Sequence, residues 1–284
     1  MGDIYGAMAL MLTLSVVLFI AGMKTAERVS PRAFNFPALA TVGLLIVFMK
    51  VVQESVWLIR VLPFSNLIVL GAWQPLFGGF LAGMAWRRIQ GPAWRKSICV
   101  VPLLAIALYG AYGKLFGSEP WTEGRDFWKD GVCLQTSQSS CSAAAAATLL
   151  TAHGISANES EMARLCFTRS AKGTTWLGLY RGLKLKTAGT EWDVDVVKWS
   201  LDEIHSKSRE PMIISVRLDP HPGVDPRFEQ NWGWEPGVQH AVVLFNFLPD
   251  GKIEMGDPSV GREFWNDLSL RELWHGDVMR LVRR

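Results

Sequence analysis

The chain of 284 residues is short of the features that mark several common chemistries. Charge is almost balanced, with 29 Lys and Arg against 26 Asp and Glu and a formal net charge of +3, so nothing favours a nucleic-acid partner. Cysteine is scarce: four residues and no CxxC pair, which argues against a structural zinc site. No G-x-S-x-G is present, which sets aside serine-hydrolase chemistry of the nucleophile-elbow kind. No P-loop sequence occurs, and no internal repeat or low-complexity tract is visible beyond one alanine run.

Charge is also missing from one part of the chain. Up to about Leu115 the sequence is dominated by Leu, Val, Ala, Ile, Phe and Met; from Gly117 onward it is an ordinary soluble mixture. Four apolar stretches stand out, at 4–23, 36–49, 67–86 and 98–115. A bilayer core needs about 20 apolar residues, and stretches without a polar face do not suit a soluble bundle. The second stretch is short unless it starts near Ala33 or runs past Lys50. The first lacks a basic leader and a small-residue cleavage site, so it reads as a retained span, not a signal peptide. Residues 51–62 read either as an extension of the second span or as an interfacial helix. Gly79 and Gly83 form a GxxxG spacing, a weak packing signal.

Lys and Arg in the short loops set orientation. Lys24, Arg28 and Arg32 follow the first stretch, and Arg87, Arg88, Arg95 and Lys96 follow the third. The N-terminal tail has neither residue type, and the middle connection carries only Lys50 and Arg60. The two basic loops are therefore expected in the cytoplasm, with the segment after the fourth span on the far side.

The soluble part begins with a polar lead-in, 117–131, that holds two tryptophans. Helices are expected at 140–152, with Ser140 as N-cap and His153-Gly154 as the stop, at 159–166 behind Asn158, and at 176–185 after Gly173-Thr174-Thr175. A short strand and helix follow at 194–204. Strands are expected at 211–218, 239–247 and 252–256, the last two joined by a turn at Pro249-Asp250-Gly251. Helices first and antiparallel strands second is an α+β pattern.

Chemistry points to the start of the first of these helices. Cys141 opens an alanine-rich helix, where unpaired N–H groups and the helix dipole lower a thiol pKa. Gln135, six residues earlier, carries an amide that could donate to an oxyanion. The other cysteines read differently: Cys99 as a small buried residue of the fourth span, Cys133 and Cys166 as either a disulfide pair or two separate buried thiols.

A thiol nucleophile wants a histidine base and a group to orient it. All five histidines lie in the soluble part. His153 sits at a helix end, His205 and His275 in polar segments, and His221 in a Pro-rich loop. His240 opens an apolar strand, which holds its side chain on rigid backbone. If the following turn centres on Pro249-Asp250, facing residues have numbers that sum to 499 and Asp257 lies opposite Val242, diagonal to His240 and within reach. The other role open to Asp257 is as the turn residue of Gly-Asp-Pro. The loop 223–237, with Trp232 and Trp234, reads either as a binding edge for an extended peptide or as a segment packed on its own domain or at the membrane surface.

Taken in order, these residues resemble the double-glycine peptidases, papain-like cysteine proteases that trim bacteriocin leaders. The resemblance rests on Gln135 and Cys141 followed by SAAAAATLL, on GTTWLGL at 173–179, on His240 before Ala-Val-Val-Leu, on Asp257-Pro258 after the next strand, and on the closing segment 261–279. It covers nearly all of the soluble part. It implies Cys141 as nucleophile, His240 as general base, Asp257 as its orienter, and Gln135 as oxyanion donor beside the Cys141 backbone N–H. It also implies a peptide or protein substrate and no metal or organic cofactor. Ser140-Cys141-Ser142 departs from the family's Asp-Cys-Gly, and the basic loops place the domain away from the cytoplasmic side on which transporter-linked members work.

The expected architecture is an N-terminal α-helical transmembrane bundle of about four spans (1–116) plus an α+β papain-like cysteine peptidase domain (117–284). The expected activity is a membrane-anchored cysteine peptidase at the non-cytoplasmic face, a bacterial inner membrane being the setting, with the lipid bilayer as partner and any membrane-protein partner unknown. Alternative readings are a thioester-forming acyltransferase or transglutaminase-like enzyme, and a catalytically silent peptide-binding module.

Overall fold

The computed structural model describes residues 2–30, 33–53, 55–116, 119–121, 126–219 and 225–284. Arg32, Glu54, His221, Gly223 and part of the lead-in 117–131 lie outside the described residues. The chain divides into two compact units, Met1–Ser118 and Glu119–Arg284.

The first unit is helical. Helix α1 (Gly2–Arg28) is followed by α2 (Asn35–Val47), which continues through a π-helical turn at Phe48–Val52. This extension past Lys50 lengthens the short second stretch. Ser55 then caps a separate short helix, α3 (Val56–Val61), accepting from the Leu58 N–H at 3.4 Å. The third stretch is two helices, α4 (Leu67–Leu70) and α5 (Gln74–Arg88), not one. Pro75 lies in the first turn of α5, where its missing N–H is harmless but where it cannot continue an earlier helix. The Trp73 indole donates to the Leu70 carbonyl at 2.9 Å and satisfies one end of the break. Helix α6 (Ala93–Phe116) contains Pro102. Among the described residues, four segments are long and apolar enough to cross a membrane: Gly2–Arg28, Asn35–Val52, Leu67–Arg88 and Ala93–Gly113.

Glycine sets the crossing of α1 and α5. A Cβ at Gly79 would lie 2.6 Å from the Ser15 carbonyl oxygen, one at Gly83 would strike that of Phe19, and one at Gly22 that of Phe80. The two backbones therefore touch, as small-xxx-small spacing permits. Ser15 Oγ donates to the Pro75 carbonyl at 2.6 Å across the same contact. Cys99 is exposed on α6, contrary to its expected burial: it lies on the outward side of the helix.

The second unit is α+β. A hairpin of β1 (Phe127–Lys129) and β2 (Val132–Leu134) precedes helices α7 (Cys141–Ala152), α8 (Glu159–Leu165) and α9 (Trp176–Lys186). Then come β3 (Trp192–Lys198), α10 (Leu201–Lys207), β4 (Met212–Arg217), α11 (Arg227–Gln230), β5 (Gln239–Phe247), β6 (Ile253–Asp257), β7 (Gly261–Trp265), α12 (Asp267–Leu273) and β8 (Trp274–Arg283). Six strands form one antiparallel sheet in the order β3-β8-β4-β5-β6-β7.

Local chemistry explains most boundaries. Asn158 and Thr175 cap α8 and α9 through their side chains, and Ser200 with Glu203 forms a capping box on α10. Hairpin β1–β2 turns on Asp130-Gly131, both at positive φ, in a stretch expected to be a simple lead-in. Ala143 to Ala147 are all fully buried, so the run does more than favour helix. Its small side chains let α7 pack against β5 and β2 on one hand and α8 and α9 on the other.

Candidate active site

Cys141 is the first residue of α7 and is 8% exposed. Its place is fixed by the preceding turn. Ser140 N–H donates to the Ser137 carbonyl at 3.3 Å, the Ser140 hydroxyl donates to the same oxygen at 3.0 Å, and Ser137 N–H returns a bond to that hydroxyl at 3.1 Å. The buried carboxylate of Glu159 clamps the turn from behind, accepting from Thr136 N–H at 2.8 Å and Thr136 Oγ at 2.9 Å. Burial raises the Glu159 pKa, and the bonds from Ser140 and Thr136 oppose that rise.

His240, near the start of β5, and Asp257, at the end of β6, come together as the hairpin register requires. Val243 pairs with Gly256, numbers that sum to 499, so Asp257 falls diagonal to His240. The turn itself is offset by one, Phe247 pairing with Ile253, and a bulge between Leu244 and Asn246 restores the register before the site. His240 Nε2 meets Asp257 Oδ1 at 2.8 Å, and Asp257 is fully buried. Two more donors reach that carboxylate: Ser259 N–H on Oδ1 at 2.7 Å and the Trp234 indole on Oδ2 at 3.0 Å. With Nε2 on Asp257, Nδ1 is the ring nitrogen left for Cys141, whose thiol feels the charge of His240.

The electrostatics follow from this arrangement. Burial pushes the Cys141 thiol up, but the charge and hydrogen bond of His240, together with the Ala241 N–H and Ser142, outweigh it and hold the pKa below its ordinary value. Burial likewise opposes the imidazolium, yet Asp257 and Cys141 raise the His240 pKa to about 10. Both shifts favour the charged forms, thiolate on Cys141 and imidazolium on His240. Cys133 and Cys166 are opposite cases, with burial as the main cause raising each to about 12. Both are free thiols, not a disulfide. Cys133 lies on β2, its N–H held by Thr148 Oγ at 2.9 Å, whereas Cys166 caps α8 and packs against Gly182 of α9.

A cleft of about 650 Å³ opens over the pair. Cys141, Ser142 and His240 lie on its floor, and Gly173, Thr174 and Thr175 form one wall. Gly173 has φ +67 and passes the Ser139 carbonyl so closely that a Cβ would come within 3.2 Å, so this wall requires glycine. Gln138 also lines the cleft, but Gln135 does not. Gln135 continues from β2, its N–H bonded to the Pro258 carbonyl at 2.8 Å, and its buried Oε1 has no partner among the described residues. The other described histidines are elsewhere. His153 Nδ1 meets the Leu149 carbonyl at 2.8 Å, and His205 and His275 are exposed beside Asp267 and Asp219. Trp234 turns inward, 5% exposed, and does not face the cleft as a binding edge would; Glu235, Gly237 and Val238 of the same loop do line it.

Three residues of the site escaped the sequence reading, Glu159, Ser259 and Glu263, whereas Trp234 takes the second of its two expected roles, packed on its own domain. Glu263 is a buried carboxyl beside Asp257, with Oε1 accepting from the Trp265 indole at 2.6 Å and Oε2 without a partner among the described residues; burial first, then the Asp257 charge, raises its pKa to about 8. None of these carries a local motif. Only Ser259, two residues beyond Asp257, had a signal, as a turn serine.

No protein-family model and no curated protein sequence matches the chain. Among solved structures it is similar to a double glycine motif protease from an AMS/PCAT transporter, in complex with its leader peptide, at 18% identity over 58% of this chain and 98% of that one, TM-score 0.41. It is also similar to the peptidase domain of Streptococcus ComA, a bi-functional ABC transporter of a quorum-sensing pathway, at 19% identity over 53% and 96%, TM-score 0.41. These structural neighbours are double-glycine peptidase domains. A periplasmic domain of the EpsAB fusion protein of the Vibrio vulnificus type II secretion system matches at 14% identity over 55% and 50%, TM-score 0.31.

Proposed function

We propose that the chain is a membrane-anchored cysteine peptidase of papain-like kind, residues 1–116 supplying the anchor and 117–284 the catalytic domain. The observation that carries this reading is the convergence of Cys141, His240 and Asp257 from three separate elements under one cleft. Bulk apolar helices support membrane insertion, and the Lys and Arg of the first and third loops favour a non-cytoplasmic domain. The substrate is a peptide or protein segment near that face, concentrated there by the anchor.

The chemistry follows from the ion pair. The Cys141 thiolate attacks the scissile carbonyl carbon, forming a C–S bond as the carbonyl electrons move to oxygen. The Cys141 N–H, in the first turn of α7, is one donor to that oxyanion. Gln135 is the second donor in this reading, which requires its amide to swing to the cleft; Gln138, already at the cleft wall, is the competitor. Imidazolium N–H then protonates the leaving nitrogen as the C–N bond breaks, leaving a thioester and neutral His240. Water, deprotonated by His240, attacks the thioester; expulsion of the Cys141 thiolate releases the acid and restores the pair. Asp257 holds the ring and stabilises its charged form throughout.

The test is a comparison of membrane proteomes from cells carrying the wild-type chain or Cys141→Ala. New termini present only with the wild type, on proteins exposed at the non-cytoplasmic face, are expected. Identical sets of termini would contradict the proposal.

A further inference from the structure

The loop between α11 and β5 meets the site from two directions. Glu235, Gly237 and Val238 line the cleft, while Trp234 is buried against His240. The Trp234 ring lies 4.6 Å from the His240 ring, and its indole N–H is the donor on Asp257 Oδ2 at 3.0 Å. The other carboxylate oxygen is shared by His240 Nε2 and Ser259 N–H. Trp234 is itself held in an aromatic box, with ring centres 5.1 Å from Phe228 and 5.9 Å from Trp265, and by its N–H on the Phe228 carbonyl at 2.9 Å. The loop is closed by the Gly237 N–H on the Leu218 carbonyl at 2.8 Å.

We infer that Trp234 is a positioning residue: it acts through Asp257 to keep His240 aligned with Cys141, and ties that alignment to the loop forming the cleft wall. The physical reason is the cost of a buried, unpaired carboxylate oxygen. Without the indole donor, Oδ2 has no partner among the described residues, and the carboxylate gains by rotating toward any other donor, taking Oδ1 off His240 Nε2. Mere packing would need the ring; positioning needs the N–H.

This inference rests on the peptidase reading, and one experiment separates the two. The full chain in detergent is treated with iodoacetamide across pH 4 to 10, and alkylation of Cys141 is followed by peptide mass spectrometry, with thermal unfolding measured on each variant. In Trp234→Phe, which keeps an aromatic ring but no donor, the Cys141 profile is expected to move to higher pH, with labelling at pH 6 slowed by about ten-fold, the size of one lost hydrogen bond to a charged group. Trp234→His, smaller but still able to donate, should lie nearer the wild type than Trp234→Phe does. In an Asp257→Asn background Trp234→Phe should add nothing. A wild-type profile in Trp234→Phe overturns the inference and leaves the peptidase reading standing. So does a Trp234→His profile worse than that of Trp234→Phe, whether or not the latter is less stable, because that order follows ring size. Wild-type Cys141 that labels no faster than an ordinary thiol overturns both.

Discussion

The two units use their polar side chains differently. In the first, three threonines return to their own helix, Thr13 to the Ala9 carbonyl at 2.9 Å, Thr25 to Ala21 at 2.9 Å and Thr41 to Pro37 at 2.8 Å, while Ser15 reaches across to Pro75. The tight joint, between α1 and α5, is backbone on backbone across glycines. In the second, the bonds that matter span long stretches of chain: Glu159 to Thr136, Trp234 to Asp257, His240 to Asp257. An apolar solvent leaves self-satisfaction as the economical choice for a helix, whereas an active site needs groups from distant segments held against one another. The first arrangement suits an anchor, the second a reaction.

Side-chain function in the second unit gives the largest expected effect. His240→Ala should lower the proteolytic rate by about 10²–10⁴, the range of a general acid–base group, and Cys141→Ala should abolish turnover. Next come the two glutamines. Removing an oxyanion donor costs about 10²–10³ in rate, so Gln135→Ala and Gln138→Ala should differ sharply, and the larger loss of kcat identifies the donor. A loss confined to neither residue would leave the Cys141 N–H as the oxyanion donor.

The backbone joint of the first unit should respond to volume, not chemistry. Gly83→Val places a side chain on the Phe19 carbonyl, a clash that cannot relax by a rotamer change, and should destabilise the unit by at least the roughly 1–3 kcal/mol of overpacking. Gly43→Val meets nothing within 4 Å and should be near neutral in the same thermal assay. Alkylation of Cys141 should be unchanged by both, if the units are as independent as their separate cores suggest.

The last effect, on stability and not on catalysis, is on pH. The Glu263 pKa stands at about 8 against 4.5, so between those values the folded state holds a proton that the unfolded state releases. Stability therefore falls as pH rises through that window. Glu263→Gln should flatten the decline between pH 5 and 8 in thermal unfolding curves; an unchanged slope would show that another group is responsible.

How much was readable follows the same division. The Asn158 cap, the β5–β6 hairpin and the four apolar stretches are local patterns, and sequence carries them; Ser140 precedes α7 as expected but makes no side-chain cap bond. The register that joins His240 to Asp257 was right at the site although the turn lies one position off, because the bulge before Asn246 compensates. Strand β8 was missed: its Trp-His-Gly start disguises a ten-residue strand that pairs between β3 and β4. Glu159 and Glu263 were missed, and the bond from Trp234 to Asp257 with them, because their meaning comes only from what lies against them in space. The Ser140-Cys141-Ser142 departure from the family pattern is answered locally: Ser140 spends its hydroxyl on the Ser137 turn.

The central claim is that His240 lowers the Cys141 thiol pKa and so favours its ionised form. The most direct measurement is the rate of Cys141 alkylation at pH 6 in the wild type and in His240→Ala. A thiol of ordinary pKa, about 8.5, is only about 0.3% thiolate there, and a buried one without its imidazolium is less. The wild type should label at least ten-fold faster than His240→Ala, with Cys133 and Cys166 unlabelled in both; equal rates in the two proteins would contradict the ion pair and with it the proposed chemistry.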